Sequence, residues 1–269
     1  MSEHFSMPPA LLEVDGITLQ YKTPTTLVTA SYRVSFDVLK GDRFILLGPS
    51  GCGKSTILKA VGGYLKPVEG TIRLQGKPVT GPGADRMMVF QEFDQLLPWK
   101  TVLGNVMFSM VESGKFSREE AQRRAIAIIG RVGLAKFANV YPHTLSGGMK
   151  QRVGIARAMA LEPDMLLMDE PFAALDALTR RQMQDELLHL WRDRSFTMLF
   201  VTHSIEEAIV LGTRVLVLSP HPGQVRAELD CSRFEHTHVG SREFQELHRK
   251  ISHLLFGDRA TAENEGLHV

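Results

Sequence analysis

The chain has 269 residues, 43% hydrophobic and 23% charged, with a formal net charge of +1. That is ample for a large buried core in one elaborated domain or two subdomains, and it carries no basic footprint for nucleic acid or an anionic membrane. No apolar run approaches the roughly 18 residues that a membrane span requires. Met1 to Pro9 lacks a basic stretch followed by an apolar one, so no signal peptide is expected. The two cysteines, Cys52 and Cys231, are too few and too distant for a zinc site or a disulfide framework, and they fit a reducing cytosol.

Ile17, Leu19 and Tyr21 alternate on one face, and Tyr32, Val34, Phe36 and Val38 on another, which predicts two antiparallel strands. Arg43 to Leu47 reads as a buried strand, and Ser55 to Leu65 as the helix after the glycine-rich turn that follows it. Gly70 to Val79 predicts a short hairpin with Gly76 at its turn. Gly81-Pro82-Gly83 breaks the pattern, and Met87 to Phe90 resumes as a strand. From about Gln91 to Pro163 the character is helical. Ser117 with Glu120 forms a capping box, opening a helix that carries Ala125, Ile128, Ile129 and Val132. Gly147 to Ala160 predicts another helix, stopped before Pro163.

Met165 to Met168 is a continuous apolar run, hence a buried parallel strand. Leu178 to Trp191 reads as an amphipathic helix and Thr197 to Val201 as a strand. Ser204 with Glu207 forms a second capping box, and Arg214 to Leu218 is the last core strand. In the tail, Phe244, Leu247, Ile251, Leu254 and Leu255 recur at helical spacing, with Gly257 as a stop. The alternation of strands and helices predicts an α/β fold: a parallel sheet core, an antiparallel N-terminal β layer and an inserted helical subdomain. The expected boundaries are 11–232 for the domain, about 92–163 for the insert and 233–269 for a helical tail.

Gly48-Pro49-Ser50-Gly51-Cys52-Gly53-Lys54-Ser55, followed by Thr56, is a complete phosphate-binding loop. Its glycines let backbone N–H groups converge on phosphates where a Cβ would block the approach. Lys54 supplies a point charge for the β/γ oxygens, the Ser55 hydroxyl reaches toward Mg²⁺, and the following helix aims its dipole at the phosphates. Cys52, beside Lys54 at that helix start, is expected to favour its thiolate and to be partly open. Downstream, Met165 to Met168 ends in Asp169 and Glu170. At the carboxyl edge of a sheet such residues face the ligand crevice. Asp169 is then placed to hold Mg²⁺, and Glu170 to orient and deprotonate the attacking water. Ser146 followed by Gly147 and Gly148 offers a hydroxyl and free N–H groups at a helix start to a phosphate.

Leu145-Ser146-Gly147-Gly148-Met149-Lys150-Gln151-Arg152 closely matches the signature sequence of the ATP-binding-cassette ATPases. The chain resembles that family from about Leu12 to Leu218, with its motifs in the family's order. The resemblance implies ATP and Mg²⁺ as cofactors and a homodimer that sandwiches two ATP molecules, so that Ser146, Gly147 and Gly148 serve the opposite subunit. Gln91 matches the glutamine that senses Mg²⁺ and the γ-phosphate and links to the membrane partner. His203 matches the histidine that contacts the γ-phosphate. Ala173-Ala174-Leu175-Asp176 corresponds to the loop at the dimer seam, where the family more often has serine or glycine in place of Ala173. By the same resemblance Tyr21 stacks on adenine, with Tyr32 as rival.

Gln91 to Trp99, Gly81 to Arg86 and Ser219-Pro220-His221-Pro222-Gly223 are similar to segments of the ATPase subunits of nitrate, sulfonate and taurine importers. That implies a peripheral protein on the cytoplasmic membrane face, paired with permease subunits and, indirectly, with a periplasmic or extracellular solute-binding protein. The solute would be a small anion. No nucleic acid is expected. One rival is a soluble cassette ATPase acting on nucleic acid or ribosomes; such proteins tend to carry long coiled-coil insertions, fused cassettes or basic arms. A phosphate-loop kinase would have no use for the Ser146 signature. His236 and His238 lack companions at ligand spacing for a metal site.

Overall fold

The computed structural model describes residues 9–22, 26–90 and 95–265, with side chains as far as residue 257. The chain forms two units, Met1–Gly81 together with Val201–Val269, and Pro82–Phe200.

In the first unit, β1 (Leu12–Lys22) and β2 (Leu27–Val38) pair antiparallel from Leu12 opposite Val38 to Lys22 opposite Leu27. On its other edge β1 takes β4 (Glu69–Leu74), and β5 (Lys77–Pro78) folds back on β4. Gln75 and Gly76 both have positive φ, 50° and 73°, which is the tight hairpin turn whose twist suits flanking strands. The predicted alternation in β2 slips once. Arg33 lies at φ 47°, so Ser31 and Val34 both point inward while Tyr32 and Arg33 point out. Tyr32 therefore does not share the buried face of Val34, Phe36 and Val38, as the sequence pattern suggested.

The same unit holds β3 (Arg43–Leu47), every residue of it buried, hydrogen-bonded parallel to β9 (Arg214–Leu218). A strand covered on both faces needs the unbroken apolar run that Phe44 to Leu47 provides. β10 (Val225–Asp230), which the sequence reading missed, pairs antiparallel with β9. After β3 the chain enters α1 (Lys54–Val61), which ends earlier than predicted because Gly62 is followed by Gly63 at φ 80°. α6 (Ile205–Leu211) buries Ala208 to Leu211. Its cap is half of the expected box. Ser204 Oγ accepts from Glu207 N at 3.3 Å, but the Glu207 carboxylate accepts from the Thr202 hydroxyl instead. α7 (Arg242–Glu265) buries Phe244, Ile251 and Leu255 and runs straight through Gly257, correcting the expected stop.

Rings and a guanidinium stitch this unit together. Phe36 of β2 stacks on Phe44 of β3 with centroids 5.2 Å apart, and the Arg214 guanidinium lies 5.0 Å from the Phe44 ring. Arg214 also donates to Asp42 at 2.9 Å, to Glu228 of β10 at 2.8 Å and to the Asp37 carbonyl at 2.9 Å.

In the second unit β6 (Arg86–Val89) pairs parallel with β7 (Met165–Asp169), Arg86 opposite Met165. Between them run α2 (Val102–Glu112), α3 (Arg118–Arg131) and α4 (Gly147–Ala160), and α5 (Ala177–Arg194) follows β7. β8 (Thr197–Thr202) returns the chain to the first unit. Ser117 caps α3 by accepting from Glu120 N at 3.2 Å, yet Glu120 does not reciprocate: its carboxylate pairs with Arg124 at 2.7 Å and with Arg123. Buried Asn105 organises the turn before α2, accepting from Leu97 N at 2.7 Å and donating to the Leu97, Lys100 and Thr101 carbonyls at 3.0 Å. That turn buries Leu96 and leaves Trp99 70% exposed, so Trp99 is not core packing.

Arg214→Ala removes a half-buried hub that satisfies two carboxylates and one carbonyl. We expect it to lower unfolding free energy by about 2 kcal/mol in chemical denaturation. Arg214→Lys should recover only part of this, because one ammonium does not reproduce the planar fork. A loss below about 0.5 kcal/mol, the scale of an ordinary surface pair, would remove Arg214 from this role.

Candidate functional site

The phosphate loop in the first unit is shaped by close backbone approach. Gly51 and Gly53 sit at φ 81° and 93°, the left-handed region that side chains disfavour. A Cβ on Gly53 would fall 2.6 Å from the Ala30 carbonyl oxygen, and one on Gly48 would fall 2.6 Å from Cys52 Sγ. Cys52 N donates to the Pro49 carbonyl at 3.3 Å, closing the turn, and Ile57 N donates to Gly53 O at 2.9 Å, starting α1. Lys54 is 4% exposed and its ammonium donates to the Gly48 and Pro49 carbonyls at 2.8 and 2.9 Å. Ser50 and Gly51 are exposed at the rim, and Ser55 and Thr56 are half-buried in the first turn.

Cys52 is fully buried, which corrects the expected open thiol. Its sulfur packs in the space that Gly48 leaves, so the loop's backbone rather than this side chain faces outward. Cys231 is buried too, and burial pushes its thiol up to about 12. Neither forms a disulfide.

Tyr21 ends β1 at 47% exposure and Tyr32 is 40% exposed. The Arg33 guanidinium sits 5.3 Å from the Tyr32 ring centroid, covering a face of that ring. His203, also in this unit, is exposed just past the end of β8.

The second unit carries the carboxylates and the signature segment. Asp169 closes β7 and is 9% exposed, and Glu170 follows at φ 43°, a left-handed position for a side-chain-bearing residue. Glu170 O accepts from Ala173 N at 3.1 Å, so the chain turns at once. Arg180 of α5 holds that turn from within, donating to the Phe172, Ala173 and Leu175 carbonyls at 3.2, 3.4 and 2.8 Å. The sequence reading missed Arg180; its only signal was a cation one helical turn beyond Asp176. Asp176 is itself the N-cap of α5, accepting from Thr179 N at 3.0 Å. Backbone and side-chain hydrogen bonds from Thr179 hold its carboxyl below the usual range.

Ser146 is exposed and caps α4, accepting from Met149 N at 3.3 Å. Gly147 begins the helix and Gly148 is buried, where a Cβ would come 3.0 Å from the Thr179 methyl. Gln91 lies outside the described residues. Next to that segment, Gln95 bonds in both directions with the Phe90 backbone, at 3.3 and 3.2 Å, and donates to Gln151 of α4 at 3.4 Å.

Among the described residues no three His, Cys, Asp or Glu side chains collect as a metal cluster. A Mg²⁺ ion held largely by phosphate oxygens and water needs no such cluster. The loop, with left-handed glycines and a buried lysine, fits a polyphosphate. In the tail, the ring of His238 accepts from Glu235 N at 3.1 Å, a local cap. No helix among the described residues is long and apolar enough to cross a membrane.

A family model described as ABC transporter matches residues 32–173. The taurine import ATP-binding protein TauB of Rhizobium johnstonii is 50% identical over 236 residues, covering 85% of this chain and 89% of that protein. The protein of the same name from Yersinia pestis is 47% identical over 222 residues, covering 82% and 85%. A solved dimeric ATP-binding cassette in a post-hydrolysis state, bound to ADP and Pi, is 32% identical and superposes with a TM-score of 0.72, covering 83% of this chain and 100% of that one. By these matches the chain is a member of the ABC transporter ATPase family.

Proposed function

We propose that this chain is the ATP-hydrolysing subunit of an importer for taurine or another small sulfonate, working on the cytoplasmic membrane face as a homodimer beneath a permease. The observation that carries the cassette reading is the start of α4, where Ser146 caps a helix whose first residues are Gly147 and Gly148. The solute class is supported by the printed function of the 50% identical relative. Nitrate stays within the same class of small anions. The domain would run over 11–232 with a helical insert near 92–163, and 233–269 would form its tail.

In this reading the loop N–H groups and Lys54 bind the triphosphate, and Tyr21 stacks on adenine because Arg33 covers the competing Tyr32 ring. Ser55 and Asp169, with Gln91 as a further ligand, would hold Mg²⁺, which would supply positive charge to offset that of the phosphates. Glu170 accepts the proton of the attacking water, and His203 donates to the γ-phosphate. Ser146, Gly147 and Gly148 offer their N–H groups and hydroxyl to the nucleotide of the opposite subunit, with Asp176 at the seam. Catalysis is mostly positioning and electrostatic stabilisation.

Three measurements test this. Purified chain assembled with its permease in vesicles should hydrolyse ATP faster when taurine-loaded binding protein is added. Stimulation by nucleic acid or ribosomes instead would favour a soluble cassette. Glu170→Gln should retain ATP binding but slow hydrolysis by roughly 10²–10⁴-fold, the scale of a lost general base, and ATP should then trap a dimer on size exclusion. Near-normal turnover would take the base role from Glu170. Lastly, a Ser146 or Gly148 variant and Lys54→Ala should each be inactive alone, yet regain one working composite site per heterodimer when mixed. Heterodimers that form but stay inactive would count against action across the seam.

A further inference from the structure

The segment Ser219 to Gly223, between β9 and β10, is held against the back of the phosphate loop within the first unit. Gly223 N donates to the Ala30 carbonyl at 3.0 Å and Gly223 O accepts from Tyr32 N at 3.0 Å, so this residue forms an isolated parallel bridge with Ser31 of β2. A Cβ on Gly223 would lie 2.1 Å from the Cys52 carbonyl oxygen and 3.3 Å from its carbon. No real Cβ reaches that distance, and the obstacle is rigid backbone. The φ of Gly223 is not among the positive values, so glycine is demanded here by space and not by conformation.

A planar trans peptide points its carbonyl and its N–H in opposite directions. The Cys52 carbonyl is packed against Gly223, so the N–H of the same peptide, which belongs to Gly53, is aimed away from it. Gly53 is pinned on its other side, where its Cα meets the same Ala30 carbonyl that accepts from Gly223 N. Three backbones therefore meet at one node: Ala30 of β2, Cys52–Gly53 of the loop, and Gly223. Ser219 braces the third of these. Its hydroxyl accepts from Gln224 N at 3.0 Å and lies 3.0 Å from the Pro220 and Pro222 carbonyls.

We propose that Gly223 is a positioning residue for nucleotide binding: by seating the Cys52 carbonyl, it fixes the direction of the Gly53 N–H toward the phosphates. Gly223 touches no nucleotide itself and acts through the peptide it abuts. The proposal rests on the reading of the loop as an ATP site.

The test is titration of purified full-length chain with a fluorescent ATP analogue, at a temperature where circular dichroism shows each variant folded. Gly223→Ala should bind roughly ten-fold weaker or worse, the loss expected when one hydrogen bond to a charged group is misaligned. Gly81→Ala is the control, because a Cβ there meets nothing within 4 Å, and it should bind as the unaltered chain does. Ser219→Ala loosens the brace without adding an atom and should weaken binding by about three-fold, a few tenths of the same hydrogen-bond scale. A folded Gly223→Ala chain with unaltered affinity would overturn the proposal. If Gly223→Ala does not fold, Ser219→Ala decides, and unaltered affinity there would overturn it. Failure of the unaltered chain to bind the analogue would strike the ATP reading itself, a separate outcome.

Discussion

A loop that grips phosphate with its own N–H groups must keep that side clear of side chains, so it has to be held from behind. This constraint organises the first unit. Gly48 yields space to Cys52 Sγ, Gly53 lets the loop touch the Ala30 carbonyl, and Gly223 touches the Cys52 carbonyl. Each contact is backbone against backbone or against a small buried atom, with little room to adjust in a close-packed interior. The β2 strand, the end of β3 and the turn after β9 are thus all parts of one mould. The Arg214 hub and the Phe36–Phe44 stack bind those same strands to one another, so the mould's stability and the loop's shape have a common source.

Charge is handled in the same local way. A buried lysine is costly unless its donors are matched. Lys54 meets this by donating to the Gly48 and Pro49 carbonyls of its own loop. The ammonium is thereby fixed beside the phosphate-binding turn. In the second unit Arg180 gathers three carbonyls of the turn after Glu170, a use of the guanidinium fork that a single ammonium would not match.

Much of this was legible in the sequence, for physical reasons that differ by element. β3, β7 and α4 were read nearly to the residue because a doubly covered strand must be apolar throughout and a Ser cap marks a helix start locally. β10 was missed because an edge strand half open to solvent shows only weak alternation in Val225, Ala227 and Leu229. Gly257 misled because a glycine inside a helix costs only about 1 kcal/mol, which the buried Phe244, Ile251 and Leu255 face outweighs. Both capping boxes were half right. The serines cap as expected, but Glu120 and Glu207 found other partners, arginines in one case and a threonine hydroxyl in the other. The candidate motifs stood out in the sequence because each is a contiguous string of residues. Gly223 was noted only as part of an importer-like segment, since what makes it glycine is an oxygen 171 positions away, 223 − 52.

The backbone at Glu170 carries the last step. Five residues other than glycine have positive φ among those described, and four have evident reasons: Arg33 at the β2 slip, Gln75 in the hairpin turn, and Glu162 and Ser195 just past helix ends. Glu170 terminates no helix and sits at the first position of its turn, where turn geometry asks nothing of its φ. Holding it there costs about 1 kcal/mol or more, a cost the surrounding structure must offset. Asparagine or glycine would relieve that strain, but either would remove the carboxylate to which the proposed function gives the base role. Asp169 lies at the buried strand end, and Glu170, just past it, is half-buried. In the proposed function a metal ligand at Asp169 and a base at Glu170 would have to serve one ligand, whereas adjacent residues of a regular strand face opposite sides of the sheet. On that proposal a kink directly after Asp169 would let the two neighbours serve the same ligand from the strand's end.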